Sequence, residues 1–204
     1  MYTGLLPNEP ILMPFQSKPF NADIFVAEEF LNLKEKFSIT TIVEGGTCVG
    51  GSAKWFGENF ERVHTIEIVD AYQDFAKQRC NLLTNISFHL GSTIYLLDKV
   101  LQKCQHDTII FLDSHWAEHF PIFDELKLIK KSELLPVIVI HDFKVPNDPF
   151  LGFDLYNEVE LSFENIKPYL DDIYGPEGYD YHYNTADTST EVKRGVIYIY
   201  PRVK

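Results

Sequence analysis

The stretch Val43-Glu-Gly-Gly-Thr-Cys-Val-Gly-Gly-Ser52 decides the fold of this chain. It follows a short, β-branched run at residues 38–43 that is typical of a buried strand, and it leads into a helical pattern at residues 50–60. An acidic side chain, several glycines and the start of a helix therefore come together between one strand and one helix. The stretch predicts a strand–turn–helix unit.

The turn in this unit has the pattern Glu44-x-Gly46-x-x-x-Gly50-x-Ser52. Glycines allow a tight turn and a close approach of the backbone to a ligand. The first N–H groups of a helix lack intrahelical partners and can bind a carboxylate or a phosphate. The pattern thus predicts a ligand-binding turn. It differs from the GxGxxG fingerprint of dinucleotide-binding proteins, which disfavours a nicotinamide-dependent oxidoreductase.

Outward from this turn, short apolar runs alternate with longer helical patterns. A first helix is predicted to begin at Asn21 or Asp23. Strands are predicted at residues 38–43, 63–68, 86–90, 108–112 and 135–140, with helices at 50–60, 71–83, 93–103 and 120–131. This alternation is typical of βαβ units with a parallel sheet.

After residue 143 the alternation ends. A helix is predicted at residues 158–170, and two late runs at 179–183 and 195–200 predict an antiparallel pair at the sheet edge. We therefore expect a Rossmann-like, doubly wound α/β sheet of five parallel strands plus a C-terminal antiparallel hairpin, in the order 3-2-1-4-5-7-6. Residues 1–20 hold four prolines and predict an irregular arm, and residues 21–204 a single domain.

Composition limits the classes of function. A chain of 204 residues with 45% hydrophobic residues can bury one core. The net charge of −12 disfavours a nucleic-acid partner, because a phosphate backbone would be repelled. No apolar run is long enough to span a membrane, and the start of the chain lacks a basic n-region, so we expect a cytoplasmic protein. The oligomeric state stays open.

Further polar residues follow the other predicted strands, where ligands of open α/β sheets bind. Glu67 ends the second strand and is placed to accept hydrogen bonds from ribose hydroxyls. Ser92 follows the third strand, where it could bind an adenine or merely cap the next helix. The fourth strand leads into Asp113-Ser-His115-Trp116, and the fifth into His141-Asp142. These two groups predict a proton-transfer site, or a divalent cation shared by the two aspartates.

With these residues, the chain resembles the class I S-adenosylmethionine-dependent methyltransferases over roughly residues 40–145. The likeness is greatest to the catechol-type, metal-dependent small-molecule O-methyltransferases and their sugar- and antibiotic-modifying relatives. The resemblance implies the following cofactor contacts: the turn Glu44, Gly45, Gly46, Gly50 and Ser52 for the methionine end, Glu67 for the ribose, Ser92 and Trp116 for the adenine, and Asp113 at the fourth strand end. It also implies Asp113 and Asp142 as ligands of Mg²⁺.

The chain departs from the family pattern at three positions. Ser114 separates the aspartate from the His–Trp pair, Phe143 stands where an asparagine normally follows the second aspartate, and Ala117 stands where a lysine base is usual. His115 and His141, with Asp142, are therefore the candidate catalytic residues.

The function expected from the sequence is methyl transfer to a hydroxyl of a small molecule, with a sugar or glycoconjugate as the leading acceptor. One alternative is a protein that binds S-adenosylmethionine or S-adenosylhomocysteine without catalysis. Another is a zinc-dependent hydrolase, because His115-x-x-Glu118-His119 spells the inverted zincin motif HxxEH. That motif requires both histidines on one helix face.

Overall fold

A computed structural model describes residues 18–116, 118–186 and 193–202 of the chain. Its strands are β1 (Thr41–Gly45), β2 (Arg62–Glu67), β3 (Ile86–Leu90), β4 (Thr108–Leu112), β5 (Val137–Ile140), β6 (Leu155–Tyr156), β7 (Val159–Glu160), β8 (Tyr179–Tyr183) and β9 (Ile197–Pro201). Seven of them form one sheet in the order β3-β2-β1-β4-β5-β9-β8, and β6 and β7 form a separate hairpin.

The sheet confirms the predicted order, with β8 and β9 as its sixth and seventh strands. β1 to β5 pair in parallel, whereas β9 is antiparallel to both β5 and β8. The chain moves from β1 to β3 in one direction and then returns to β4 on the other side of β1. This reversal creates the topological switch point, where the carboxyl ends of β1 and β4 frame a crevice.

In the described part of the chain, six α-helices surround the sheet: α1 (Ile24–Phe37), α2 (Gly51–Asn59), α3 (Asp70–Arg79), α4 (Thr93–Leu101), α5 (Ile122–Lys131) and α6 (Phe163–Tyr174). Successive residues of a strand face opposite sides, and β4 shows the consequence. Ile110 and Leu112 pack with α4, α5 and α6, while Ile109 and Phe111 pack with α1 and α2. No helix among the described residues is long and apolar enough to cross a membrane.

The predicted N-terminal arm is only partly described, because residues 1–17 lie outside the described part of the chain. Its last residue, Phe20, is buried in the core on the α1 side. The Phe20 ring stacks on Phe30 at 5.1 Å and meets Phe56 and Phe111 edge-on at 5.4 and 5.9 Å. The end of the arm is therefore part of the core packing.

Two predicted elements differ from the structure. The helix expected at residues 158–170 begins later, at Phe163, because Asn157 and Glu158 have left-handed φ angles of 48° and 67° and form the turn between β6 and β7. The first strand extends to Gly45, so Glu44 lies inside β1 and is buried rather than following the strand. The other boundaries shift by a few residues.

Candidate active site

The glycine turn and the end of β2 lie side by side, as the sequence predicts. The amides of Gly46 and Thr47 both donate to the carbonyl oxygen of Ile66, at 3.0 and 3.2 Å. The amide of Cys48 donates to Oε2 of Glu67 at 2.7 Å. These bonds join the turn after β1 to the acidic end of β2.

Glu44 supports this turn from inside the protein. Thr65 Oγ1 donates to its Oε2 at 2.6 Å, and the Ser52 hydroxyl donates to its Oε1. Burial raises the pKa of Glu44 to about 8, and the charges of Asp113 and Glu67 act in the same direction, although the two hydroxyls partly offset the effect. Glu44 and Ser52 therefore bind each other in this structure, and their direct contacts with a cofactor stay predictions.

The glycines of the turn permit close packing within the chain. Gly46 has a φ of 91°, and a Cβ there would lie 2.2 Å from the carbonyl oxygen of Asp113. Gly50 has a φ of 78°, and a Cβ there would lie 2.8 Å from Cα of Ala76 in α3. A Cβ added to Gly45 would lie 3.1 Å from Thr93 Cγ2, which is a tight contact. Both left-handed glycines are thus required by the fold, which fixes the turn against β4 and α3.

Glu67 presents a carboxylate at the crevice between β1 and β2. It is 6% exposed, and it accepts the amide of Val69 at 2.8 Å as well as that of Cys48. Burial raises its pKa, while these amides oppose the rise. Each carboxylate oxygen can accept more than one hydrogen bond, so the group still has capacity for the hydroxyls of a ribose.

Ser92 lies near Glu67, because the amide of the preceding residue, Gly91, donates to the carbonyl oxygen of Glu67 at 2.7 Å. Ser92 precedes the first residue of α4, but its side chain makes no capping hydrogen bond. Within the described part of the chain, its buried Oγ has no hydrogen-bond partner. The capping interpretation is therefore wrong. A buried hydroxyl without a partner is unfavourable, so this position fits a ligand with a polar group such as the adenine amine.

The ends of β4 and β5 carry a group that we call the acid–histidine cluster, which consists of Asp113, His115, His141, Asp142 and Asp154. Because Leu112 and Ile140 are paired across β4 and β5, the residues that follow them lie close together. In the first half of the cluster, His141 Nδ1 is 3.5 Å from Asp113 Oδ1 and 3.2 Å from Asp142 Oδ1. In the second, His115 Nε2 is 3.5 Å from Asp142 Oδ2 and 3.9 Å from Asp154 Oδ2.

The carboxylates set the charge of both imidazoles. Burial opposes protonation of His141, but the charges of Asp142 and Asp113 outweigh it and hold its pKa well above the ordinary value. Burial likewise opposes protonation of His115, but its hydrogen bond to Asp142 and the charges of the nearby aspartates outweigh burial and raise its pKa. Burial would raise the pKa of Asp142, yet His141 and His115 hold it well below its usual range. Asp142 is thus the ionised centre of the cluster.

Sequence reasoning missed two residues of this site, Asp154 and Arg194. Arg194 Nε lies 3.2 Å from Asp142 Oδ1, and its Nη1 donates to Asp154 Oδ1 at 3.0 Å. Tyr156 donates its hydroxyl to Asp154 Oδ2 at 2.6 Å. Neither Asp154 nor Arg194 belongs to a motif, so no local signal indicated them.

A cavity of about 350 Å³ adjoins the cluster. Its lining consists of Ile94, Glu118, His119, Phe120, Pro121, Asp124, Tyr156, Asn157 and Val159. The Tyr156 ring stacks on Phe120 at 4.5 Å and meets the His115 ring edge-on at 6.1 Å. Tyr156 therefore lies between the cavity and the cluster.

The described residues of the HxxEH motif, at 115, 116, 118 and 119, are not helical. Trp116 and His119 exchange backbone hydrogen bonds at 3.0 and 2.8 Å, and α5 begins only at Ile122. His115 faces Asp142 whereas His119 lines the cavity, so the two histidines do not share a helix face. Among these four residues the geometry of the inverted zincin motif is absent. Trp116 is 68% exposed, and its stacking on an adenine stays a prediction.

No protein-family profile matches the chain, and no curated protein matches it. Solved structures share its architecture. The O-methyltransferase of Bacillus cereus in complex with S-adenosylhomocysteine is 18% identical, with a TM-score of 0.58 over 97% of this chain and 84% of that chain. TomG of Streptomyces achromogenes, an O-methyltransferase of tomaymycin synthesis in complex with S-adenosylmethionine, is 16% identical, with a TM-score of 0.58 over the same shares.

A third structure is the precorrin 8W decarboxylase of Methanobacterium thermoautotrophicum, which is 18% identical, with a TM-score of 0.57 over 98% of this chain and all of that chain. Identities this low establish the likeness of the fold alone. The strand order, the helices on both faces of the sheet and the antiparallel pair of β8 and β9 agree with this likeness. The chain therefore has the fold of the class I S-adenosylmethionine-dependent O-methyltransferases.

Proposed function

We propose that this protein transfers a methyl group from S-adenosylmethionine to a hydroxyl of a small molecule. The observation that carries the proposal is the bond from the Cys48 amide to Glu67, which joins the glycine turn to an acidic strand end. The unpartnered hydroxyl of Ser92 lies on the other side of Glu67. A carboxylate and a hydroxyl in this arrangement fit the ribose and adenine of one nucleoside.

The cofactor, when bound, supplies an activated methyl group on its sulfonium. The chain has to position it and the acceptor. Glu67 would bind the ribose hydroxyls and Ser92 the adenine amine, while the N-terminus of α2 faces the methionine end. Gly46 and Gly50 allow the turn to pack closely against β4 and α3.

The acceptor hydroxyl must lose its proton, and we assign the general base to His115. Its ring is buried beside Asp142 and Asp154, and the Tyr156 ring that lines the cavity meets it edge-on at 6.1 Å, so Tyr156 has to turn aside for the acceptor to reach the imidazole. Asp142 and Asp154 orient the imidazole, as carboxylates do in other acid–base sites. Holding base and acceptor in line with the methyl donor then supplies most of the rate acceleration that this reaction needs.

For the acceptor we propose a sugar or a glycoconjugate. The cavity offers the rings of Phe120 and Tyr156 together with the polar side chains of Glu118, Asp124 and Asn157. Aromatic rings bind the apolar face of a pyranose, and carboxylates or amides bind its hydroxyls. The acidic lining and the net charge of −12 also disfavour a polyanionic acceptor such as a nucleic acid.

The donor atoms at the ends of β4 and β5 fit the expected Mg²⁺ ion poorly. Asp113 and Asp142 offer two carboxylates, but the asparagine position of the family holds Phe143, which is fully buried in the core. The third donor near the aspartates is the imidazole of His141. Mg²⁺ prefers octahedral oxygen ligands, so this set of donors does not fit Mg²⁺.

Calorimetric titration with S-adenosylhomocysteine tests the cofactor assignment. We expect Glu67→Ala to weaken binding while Glu61→Ala, which removes an exposed carboxylate one strand length away, leaves it unchanged. Equal affinity of Glu67→Ala and the intact protein would refute the ribose assignment. Transfer of a labelled methyl group to a panel of sugars and phenols then tests catalysis. Binding without transfer to any hydroxyl would favour the non-catalytic alternative.

A further inference from the structure

One imidazole of the cluster, that of His141, has a ring nitrogen that makes no hydrogen bond. His141 is 5% exposed, and its Nδ1 has no hydrogen-bond partner among the described residues. The buried Oδ1 of Asp142 makes no hydrogen bond either, although His141 Nδ1 and Arg194 Nε each lie 3.2 Å from it. Buried polar atoms without partners are rare and indicate a missing ligand, water or ion.

The spacing of these atoms suits a single metal ion. His141 Nδ1 is 3.5 Å from Asp113 Oδ1 and 3.2 Å from Asp142 Oδ1. All three donor atoms lie within 4.8 Å of one another. Two ligands about 2.1 Å from a metal, at tetrahedral or octahedral angles, are about 3.0–3.4 Å apart. The trio needs little movement to bind one ion.

Charge also favours one divalent cation. The cluster holds the carboxylates of Asp113, Asp142 and Asp154, and the guanidinium of Arg194 lies against two of them. With His141 neutral, as a metal ligand must be, and His115 neutral, as a base must be, these groups leave two negative charges. One divalent cation balances them, whereas a second would create an uncompensated buried charge, which is costly.

We propose that Asp113, His141 and Asp142 bind a divalent transition-metal ion of the Mn²⁺, Co²⁺ or Zn²⁺ class rather than Mg²⁺. The proposal rests on the function proposed above, because it names the cation of the same site. An imidazole with carboxylates suits these ions, and their affinity for such sites exceeds that of the oxygen-preferring Mg²⁺. His141 is then a metal ligand, and His115 remains the base.

The test is calorimetric titration of the chelator-treated protein with Mn²⁺ and with Mg²⁺. We expect one equivalent of Mn²⁺ to bind, about tenfold or more tightly than Mg²⁺. His141→Asn places an amide oxygen near the position of Nδ1. We expect it to weaken Mn²⁺ binding by about tenfold or more and to narrow the preference over Mg²⁺. Asp154→Asn is the comparison variant: it removes a carboxylate of the cluster that lies outside the trio, so it should lower Mn²⁺ affinity less than His141→Asn does.

Pulsed electron paramagnetic resonance of bound Mn²⁺ gives a second readout that needs no variant. A directly bound imidazole produces nitrogen modulation of the spin echo, so its absence in the intact protein would overturn the proposal. Unchanged Mn²⁺ affinity in folded His141→Asn, or a loss confined to Asp154→Asn, would overturn it as well. Titration with S-adenosylhomocysteine in the absence of metal tests the cofactor site separately, so failure of the metal proposal is distinguishable from failure of the proposed function.

Discussion

Replacing Glu44 by glutamine should remove a pH dependence of stability that this residue imposes on the fold. Glu44 is fully buried in β1, and its carboxyl group is held by Ser52 and Thr65. Burial raises its pKa from 4.5 to about 8. The folded protein therefore keeps the Glu44 proton at pH values where the unfolded chain has released it.

The sign and size of the effect follow from this difference. Between pH 4.5 and about pH 8 the folded state binds more protons, so the Glu44 contribution to the free energy of unfolding falls as the pH rises. The stabilising contribution of Glu44 is fully present below pH 4.5 and is lost above about pH 8. Because one pKa unit corresponds to about 1.4 kcal/mol, the whole contribution is at most about 5 kcal/mol. Glutamine cannot ionise but retains a carbonyl oxygen to accept a hydroxyl, so it should not show this loss.

Urea unfolding of both proteins across this pH range measures the effect. We expect Glu44→Gln to gain stability relative to the intact protein as the pH rises, by several kcal/mol near pH 8. All other titrating groups are shared, so the difference between the two curves isolates Glu44. Glu61→Gln, which changes a glutamate that is exposed, is the control for the substitution itself. Parallel curves for Glu44→Gln and the intact protein would refute the reasoning.

Three further outcomes are expected. Gly46→Ala should lower the free energy of unfolding by more than about 2 kcal/mol in urea, because its φ of 91° and the nearby Asp113 carbonyl exclude a Cβ; wild-type stability would contradict the packing argument. Ser92→Ala should weaken S-adenosylhomocysteine binding in calorimetry without lowering the melting temperature, and a large loss of stability would instead assign the hydroxyl a structural role. Tyr156→Phe should raise KM for the acceptor more than KM for the cofactor in steady-state assays, since the ring borders the cavity and its hydroxyl binds Asp154; equal changes in both would argue against an acceptor-side position.

The parallel half of the fold could be predicted because its signals are local. β-branched runs and helical periodicity identify strands and helices within a few residues of themselves. Residues that follow parallel strands meet at one sheet edge, so Glu67, Asp113 and His141 could be assigned to a site without coordinates. The hairpin of β6 and β7 was not predicted, because two-residue strands carry almost no periodic signal and residues 158–160 were assigned to a helix.

The remainder of the site depends on contacts between distant parts of the chain. Arg194 and Asp154 belong to irregular segments, and only the packing of these segments against the end of β5 brings them to Asp142. The burial of Glu44 likewise depends on β2 and α2 closing over it. The sequence alone determined which elements form and at which edge the polar residues gather. The tertiary structure decided which of those groups meet, since side-chain proximity, burial and charge arise from long-range packing that local patterns do not encode.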